Sequence, residues 1–148
     1  MLPAPAFLGY YLGMLKWTDD LLVGIDSIDD QHKELFDRIG KFYDSIDKGL
    51  TADKVSEIMD YLADYANTHF TTEESYMSQY GYPEYSYHKD QHHGFISDLY
   101  AIQKRLNTYG FSNLLGAELE GSLYHWLVDH VSKVDKKLAK YLKDKIKA

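Results

Sequence analysis

The sequence predicts an all-α protein, an up-down-up-down antiparallel four-helix bundle preceded by an N-terminal arm. Three observations support this fold class. Apolar residues recur at intervals of three and four through four long segments, which is the period of an amphipathic helix. Glycine and proline separate these segments by short connections, and such connections between long helices favour antiparallel neighbours. No run of β-branched residues with strand periodicity competes with this pattern.

The first two predicted helices meet at Gly49. The first covers about residues 29–48, and its apolar stripe is Ile28, Leu35, Ile39, Phe42 and Ile46. The second begins near Ala52 and ends at the sequence YGYPEY, where Gly81 suits a helix C-cap and Pro83 prevents continuation. Its stripe is Val55, Ile58, Met59, Leu62, Ala66, Phe70, Met77 and Tyr80.

The third and fourth predicted helices meet at Gly110. The third runs from about Glu84 to Tyr109, and the fourth starts near Ser112, a residue type that is common at the N-cap. The third stripe is Tyr85, Phe95, Ile96, Leu99, Ile102 and Leu106. The fourth stripe is Leu115, Leu119, Leu123, Trp126, Leu127, Val131, Val134 and Leu138. The lysines that follow are interpreted as a solvated helix face.

Length and composition fit one domain over residues 1–148, with 45% hydrophobic and 26% charged residues. A formal charge of −7 argues against nucleic acid as a partner, because phosphate binding requires clustered Lys and Arg. The apolar residues 1–17 are too short for a membrane span and lack a basic start, so we expect an arm packed on the domain and a cytoplasmic protein. Without cysteine, thiolate chemistry is excluded. The oligomeric state is not predicted.

Polar residues interrupt the apolar stripe of every predicted helix. They are His32, His69, Glu73, His88, His92 and His130. A lone histidine on such a stripe is commonly a core residue whose ring nitrogens have hydrogen-bond partners. Each buried polar group without a partner, however, costs roughly 1–3 kcal/mol, against a net stability of about 5–15 kcal/mol. Six inward polar residues therefore require a common partner.

A metal site satisfies these residues most economically. His69 and Glu73, like His88 and His92, are four residues apart, so that each pair shares one helix face. Imidazole with carboxylate suits iron, zinc, copper or manganese, whereas calcium prefers oxygen ligands only. Five histidines exceed the four ligands of one tetrahedral zinc. Two metal ions bridged by carboxylates fit the number of ligands better.

The fourth helix offers two alternative ligand pairs. His125 and Asp129 have the regular spacing of four, but they lie on the polar face. His130 lies on the apolar side, and its candidate partner is Asp135. Five residues rotate an ideal helix by about 140° net, so both can face one site only if the helix is irregular. We therefore predict a π-type turn between Val131 and Asp135.

The sequences VGIDSIDDQHKEL, HFTTEE, HKDQH and HWLVDHVSKVD together resemble the signature of the hemerythrin family. The resemblance extends from Trp17 to about Tyr141. The chain is similar in particular to single-domain bacterial hemerythrins. Seven ligand types recur in order with the family's spacings. The departures are the N-terminal arm and two additional histidines, His93 and His125, which we interpret as surface residues.

The resemblance implies a non-haem di-iron centre, bridged also by an oxo or hydroxo group. Its ligands would be His88, His92 and His130 on one iron, His32 and His69 on the other, and Glu73 and Asp135 as bridges. The iron with two histidines would keep an open position, where O₂ would bind. Apolar neighbours would wall this pocket and control access and redox behaviour. They are Leu35, Phe70, Met77, Trp126, Leu127 and Val131, which are also expected to pack in the core.

The resemblance thus favours a protein that binds O₂, or another small diatomic ligand, reversibly for storage, delivery or sensing. A shell of five histidines and two carboxylates is less anionic than that of ferritin-like oxidases, which favours carrying O₂ over splitting it. No catalytic residue is nominated. Two alternatives stay open: a di-iron peroxidase or NO-handling enzyme at the same site, and a metal-free interaction bundle.

Overall fold

Four helical units form the fold in the computed structural model, which describes residues 17–112, 114–115, 118 and 120–146. They are α1 (Asp26–Asp47), α2 (Ala52–Gln79), α3 (Tyr85–Tyr109) and α4 (residues 120–146). A short 3₁₀ helix, Asp19–Leu21, precedes α1, and no strand occurs within these ranges. Residues 1–16 of the predicted N-terminal arm lie outside them. None of the described helices has both the length and the apolar character needed to cross a membrane.

Helix α1 begins three residues earlier than the predicted start at Asp29. Asp29 is buried inside the first turn, and its carboxylate reaches back toward the preceding loop. It accepts hydrogen bonds from Val23 N–H at 2.8 Å and Gly24 N–H at 3.0 Å. Aspartate commonly caps a helix from the position just before its first residue. Here Asp29 lies inside the first turn and binds the preceding loop, so it does not mark the start of the helix.

The boundaries of α2 and α3 agree with the predictions. Thr51 caps α2 by accepting a hydrogen bond from Lys54 N–H at 3.3 Å. Gly81 follows the end of α2 with φ of +64°, and Tyr82 N–H bonds to Met77 O at 2.9 Å, which is the closing bond of a Schellman motif. Gly110 ends α3 with φ of +73°. These glycines reverse the chain sharply between antiparallel helices.

Helix α4 contains two π-helical segments, Glu120–His125 and His130–Asp135. The second is the irregularity predicted from the spacing of His130 and Asp135, and that prediction is confirmed. A π turn is wider than an α turn, so two residues five apart can share one face. Both side chains are indeed buried, with 2% and 1% exposure. The first π segment was not predicted.

The predicted four-helix bundle is confirmed. Helix α1 packs against α2, and α2 packs against α3. Apolar residues from all four helices form one core, whose most deeply buried members include Ile28, Phe42, Leu62, Leu99 and Leu138. Of the predicted stripes, Val134 is not part of this core, and Leu119 lies outside the described residues. This apolar core surrounds the polar residues that the sequence places on the same stripes. The bundle therefore positions donor groups from four helices in a site without bulk water.

Replacement of Asp29 by alanine is expected to destabilise the bundle by roughly 2–4 kcal/mol, because two backbone N–H groups lose a charged acceptor. Urea unfolding followed by circular dichroism measures this loss. The control is Asp30→Ala, since the neighbouring Asp30 side chain is exposed. Equal midpoints for the two variants would contradict the role of Asp29 in tying the loop to α1.

Candidate metal centre

Seven buried polar side chains meet inside the bundle, and every helix contributes at least one. They are His32 from α1, His69 and Glu73 from α2, His88 and His92 from α3, and His130 and Asp135 from α4. None is more than 2% exposed. The spacing of four places the α2 pair and the α3 pair on inward faces, and the π segment does the same for the α4 pair. All the predicted ligand residues thus lie together.

These side chains form two overlapping groups of potential metal ligands. The larger group consists of Glu73, His88, His92, His130 and Asp135. The smaller group consists of His32, His69, Glu73 and Asp135. Within each group, one ligand atom from every residue lies within 4.8 Å of the others. The two carboxylates belong to both groups, so the arrangement suits two ions with shared ligands.

The two oxygens of Asp135 face different groups. Its Oδ2 lies 2.8 Å from His32 Nε2, which belongs to the smaller group. Its Oδ1 lies 3.0 Å from His88 Nε2 and 3.1 Å from His130 Nε2, which belong to the larger group. One carboxylate therefore reaches both places where an ion could lie.

Glu73 also connects the two groups, through a single oxygen. Its Oε1 lies 3.5 Å from His69 Nε2 in the smaller group. The same atom lies 3.1 Å from His92 Nε2 and 3.5 Å from His88 Nε2 in the larger group. Glu73 and Asp135 thus enter the site from α2 and α4 and lie between the histidines of both groups.

The donor atoms fit metal ions better than they fit one another. Nε2 of His32, His69 and His88 and the carboxylate oxygens lie close together, yet they lack hydrogen-bond geometry. His92 Nε2 and His130 Nε2 are only 3.2 Å apart. Two ligands about 2.1 Å from one ion, at right angles, would be about 3.0 Å apart, close to these spacings. Nitrogen and carboxylate donors of this kind suit first-row transition metals.

Three of the inward histidines are held from behind through Nδ1. The bonds are His69 to Gln31 Oε1 (2.8 Å), His92 to Glu74 Oε2 (2.9 Å) and His130 to Gln91 Oε1 (2.8 Å). Because these oxygens only accept, each Nδ1 must donate, and the Nε2 lone pair faces the site. These three partners were not predicted from the sequence. Each partner is adjacent in the chain to an inward residue other than the histidine that it binds: Gln31 to His32, Glu74 to Glu73 and Gln91 to His92. This adjacency is the signal that could have identified them.

Burial favours the neutral form of His69 and His92, which is the form that binds metal. It lowers the pKa of His69 to about 3, with a further contribution from His32. It lowers the pKa of His92 to about 2, assisted by His130 and His88. A buried imidazolium would lose its hydration without a matching counter-charge. The lone pairs are therefore available to a cation at neutral pH.

The pKa values of the two buried carboxyl groups shift in opposite directions. Burial raises the pKa of Glu73 well above its usual value, and the neighbouring charge of Asp135 adds to this rise. Burial alone would also raise the pKa of Asp135. The His130 imidazole and the close contacts with His32 and His88 outweigh it, so that the pKa of Asp135 lies well below its usual value. Glu73 therefore holds a proton more readily than an exposed carboxyl group does, and Asp135 holds one less readily.

Aromatic rings pack directly on two histidines of the larger group. The Phe70 ring stacks on His92 with centroids 3.9 Å apart, and the Trp126 ring stacks on His130 at 4.4 Å. Tyr82, which the sequence analysis did not place inward, is buried with its ring 6.3 Å from that of His88. The other predicted pocket residues, Leu35, Met77, Leu127 and Val131, are also buried, and Trp126 is half-buried. The extra histidines His93 and His125 are exposed, as predicted.

Comparison with known proteins gives consistent matches over most of the chain. Residues 23–142 match the family model described as Hemerythrin HHE cation binding domain. Bacteriohemerythrin of Clostridium acetobutylicum is 30% identical over 126 residues, which are 83% of this chain and 97% of that relative. Bacteriohemerythrin of Pseudomonas aeruginosa is 34% identical over 121 residues, 82% of this chain and 76% of the relative. A crystal structure of a hemerythrin mutant matches with a TM-score of 0.75 and 28% identity, covering 86% of this chain and 95% of the other.

The metal-free protein is expected to lose stability as the pH falls from about 6.5 to about 3. His69 and His92 have folded-state pKa values below their unfolded value of 6.5, so the unfolded chain takes up these protons first. Each such proton contributes a slope of about 1.4 kcal/mol per pH unit. The raised pKa of Glu73 acts in the opposite direction, because the folded protein takes up this proton before the unfolded chain does. This contribution to the pH dependence ends near pH 4.5, where the unfolded chain is protonated as well.

Chemical denaturation of the metal-free protein at several pH values measures this loss. The control is His93→Gln, since removal of an exposed histidine should leave the slope unchanged. Stability that is constant between pH 6.5 and 4 would contradict the neutral state of the buried imidazoles.

Proposed function

The chain belongs to the hemerythrin family, and on that premise we propose that it binds O₂ reversibly at a non-haem di-iron centre. The observation that carries the proposal is the pair of overlapping donor groups that share Glu73 and Asp135. Two irons per chain follow from two groups, and the mixture of imidazole and carboxylate suits iron. The family membership favours iron over the other first-row metals with the same preferences.

In this proposal the two irons have unequal sets of protein ligands. The larger group assigns His88, His92 and His130 to one iron, and the smaller group assigns His32 and His69 to the other. Glu73 and Asp135 would hold both irons, which is consistent with the two Asp135 oxygens facing different groups. The ion of the smaller group would have fewer protein donors, which would leave room for an external ligand. When bound as a ferrous pair, iron supplies the electrons that O₂ takes up on binding and returns on release.

The apolar surroundings support reversible binding rather than turnover. We assign the wall of the O₂ pocket to six side chains: Leu35, Phe70, Met77, Trp126, Leu127 and Val131. Five of them are at most 3% exposed, so they exclude water and restrict proton delivery. The nearby Tyr82 hydroxyl bonds to Glu84, and burial together with Glu84 raises the pKa of Tyr82 to about 12. It therefore keeps its proton at neutral pH and is a weak acid.

Storage, delivery or sensing of O₂ in the cytoplasm is the physiological role that we propose. A peroxidase or NO-handling enzyme would use the same metal pair, and a metal-free bundle would use none. These three possibilities differ in iron content and in their response to O₂, and both properties can be measured directly.

Iron analysis of the purified protein is expected to give about two irons per chain. An absorption band should appear when the reduced protein meets O₂, and it should disappear under argon because O₂ leaves intact. Absence of iron would support the metal-free bundle. Irreversible bleaching, or rapid consumption of peroxide, would support the enzyme.

The variant His32→Ala is expected to retain about one iron per chain, because the smaller group loses one of its two imidazoles. O₂ binding should fall with it, while the helical circular dichroism spectrum stays the same. The exposed His93→Ala serves as the matched control and should keep both irons. Full iron content and O₂ binding in the His32 variant would refute the assignment of the smaller group.

A further inference from the structure

The three outer partners of the inward histidines differ in charge. Gln31 and Gln91 offer neutral amide oxygens to His69 and His130, whereas Glu74 offers a carboxylate to His92. Hydrogen bonds with one ionised partner are roughly twice as strong as neutral ones. Among the outer partners that the structure describes, His92 thus has the strongest acceptor behind it.

The position of His92 leaves its ring little freedom. Phe70 stacks on one face of the imidazole, with an interplanar angle of 9° and centroids 3.9 Å apart. Glu74 Oε2 holds Nδ1 at 2.9 Å, on the side opposite to the site. Nε2 is thereby directed at Glu73 Oε1, 3.1 Å away. The hydrogen bond of Glu74 to the site is made through this ring.

The negative charge of Glu74 is only partly compensated. Its nearest described cation is Lys89, whose Nζ lies 3.8 Å from Oε1 and also contacts the Tyr85 hydroxyl at 3.4 Å. The Glu74 side chain is 19% exposed and borders a surface cleft of about 480 Å³. The carboxylate is therefore closer to His92 Nδ1 than to the Lys89 ammonium, and it is partly open to solvent at the cleft.

We propose that Glu74 is a positioning residue that makes His92 the strongest imidazole donor of the larger group and so favours the oxidised state of the metal held there. An anionic acceptor draws the Nδ1 proton toward itself, which increases the electron density at Nε2. A more basic ligand stabilises the ion of higher charge more than the ion of lower charge. The inference rests on the proposed function, because it concerns the metal of the larger group.

The decisive variant is Glu74→Gln, which keeps the length of the side chain and an acceptor oxygen but removes the charge. Outer partners of metal ligands typically change metal affinity by about 10–100-fold. We expect the preference for the ferric over the ferrous ion to fall about tenfold, which raises the reduction potential by about 59 mV for a one-electron couple. The readout is a redox titration of the iron-loaded full chain.

The matched control is Glu57→Gln on the same helix. The Glu57 side chain is 63% exposed and pairs with Lys54, so its removal changes the net charge equally without touching the site. A merely structural role of Glu74 would change stability but not the potential. Equal potentials in the two glutamine variants would overturn the proposal.

The reverse substitution gives an independent test. Gln91→Glu places a carboxylate behind His130 and should lower the potential, and an unchanged potential would count against the proposal even if Glu74→Gln failed to fold. Zn²⁺ affinity, measured by competition with a chelator, should be about tenfold weaker in Glu74→Gln than in the control. If the wild type binds Zn²⁺ but no iron, the proposed O₂ function fails while the Zn²⁺ comparison still decides the role of Glu74.

Discussion

The structure depends on the cost of burying polar atoms that have no partner. Seven side chains with unshared electron pairs lie inside a core that is built mainly of apolar residues. Burial lowers the pKa values of His69 and His92, so these imidazoles avoid the cost of a buried charge, and the pKa values of the two carboxyl groups shift in opposite directions. Their short mutual contacts remain poorly matched. A pair of cations would satisfy all of them at once, and metal binding would then contribute directly to the stability of the core.

The helical architecture solves the problem of bringing donors together without loops. Helix α2 and helix α3 each present two donors through the ordinary spacing of four, which requires no distortion. Helix α4 does so through a π segment, and α1 supplies a single histidine. Rigid helices hold the donors within a narrow range of positions, and the second layer of Gln31, Glu74 and Gln91 fixes the rotation of three rings.

Helical phase made most of the fold and of the site predictable from the sequence. Residues such as His69 and Glu73 can be placed inward because the stripe around them is local in the chain. The irregular turn before Asp135 was predicted from the spacing of five residues between His130 and Asp135. Contacts between helices could not be found in this way, since Glu74 meets His92 only through the packing of α2 on α3. The Asp29 contact was missed for a related reason, because it reverses the direction in which a capping residue commonly acts.

The second π segment of α4, His130–Asp135, also bears on how this helix tolerates changes in chain length. Leu123 and Leu127 are buried before it, and Leu138 and Leu142 are buried after it, so the apolar stripe continues in phase across the irregularity. The helix thus absorbs one surplus residue locally, as an insertion would be absorbed. Because the irregularity ends at Asp135, it also sets how that carboxylate approaches the histidines of the other helices. In α4, the residues that pack in the core and the residue that reaches the site are thus set by different parts of the same helix.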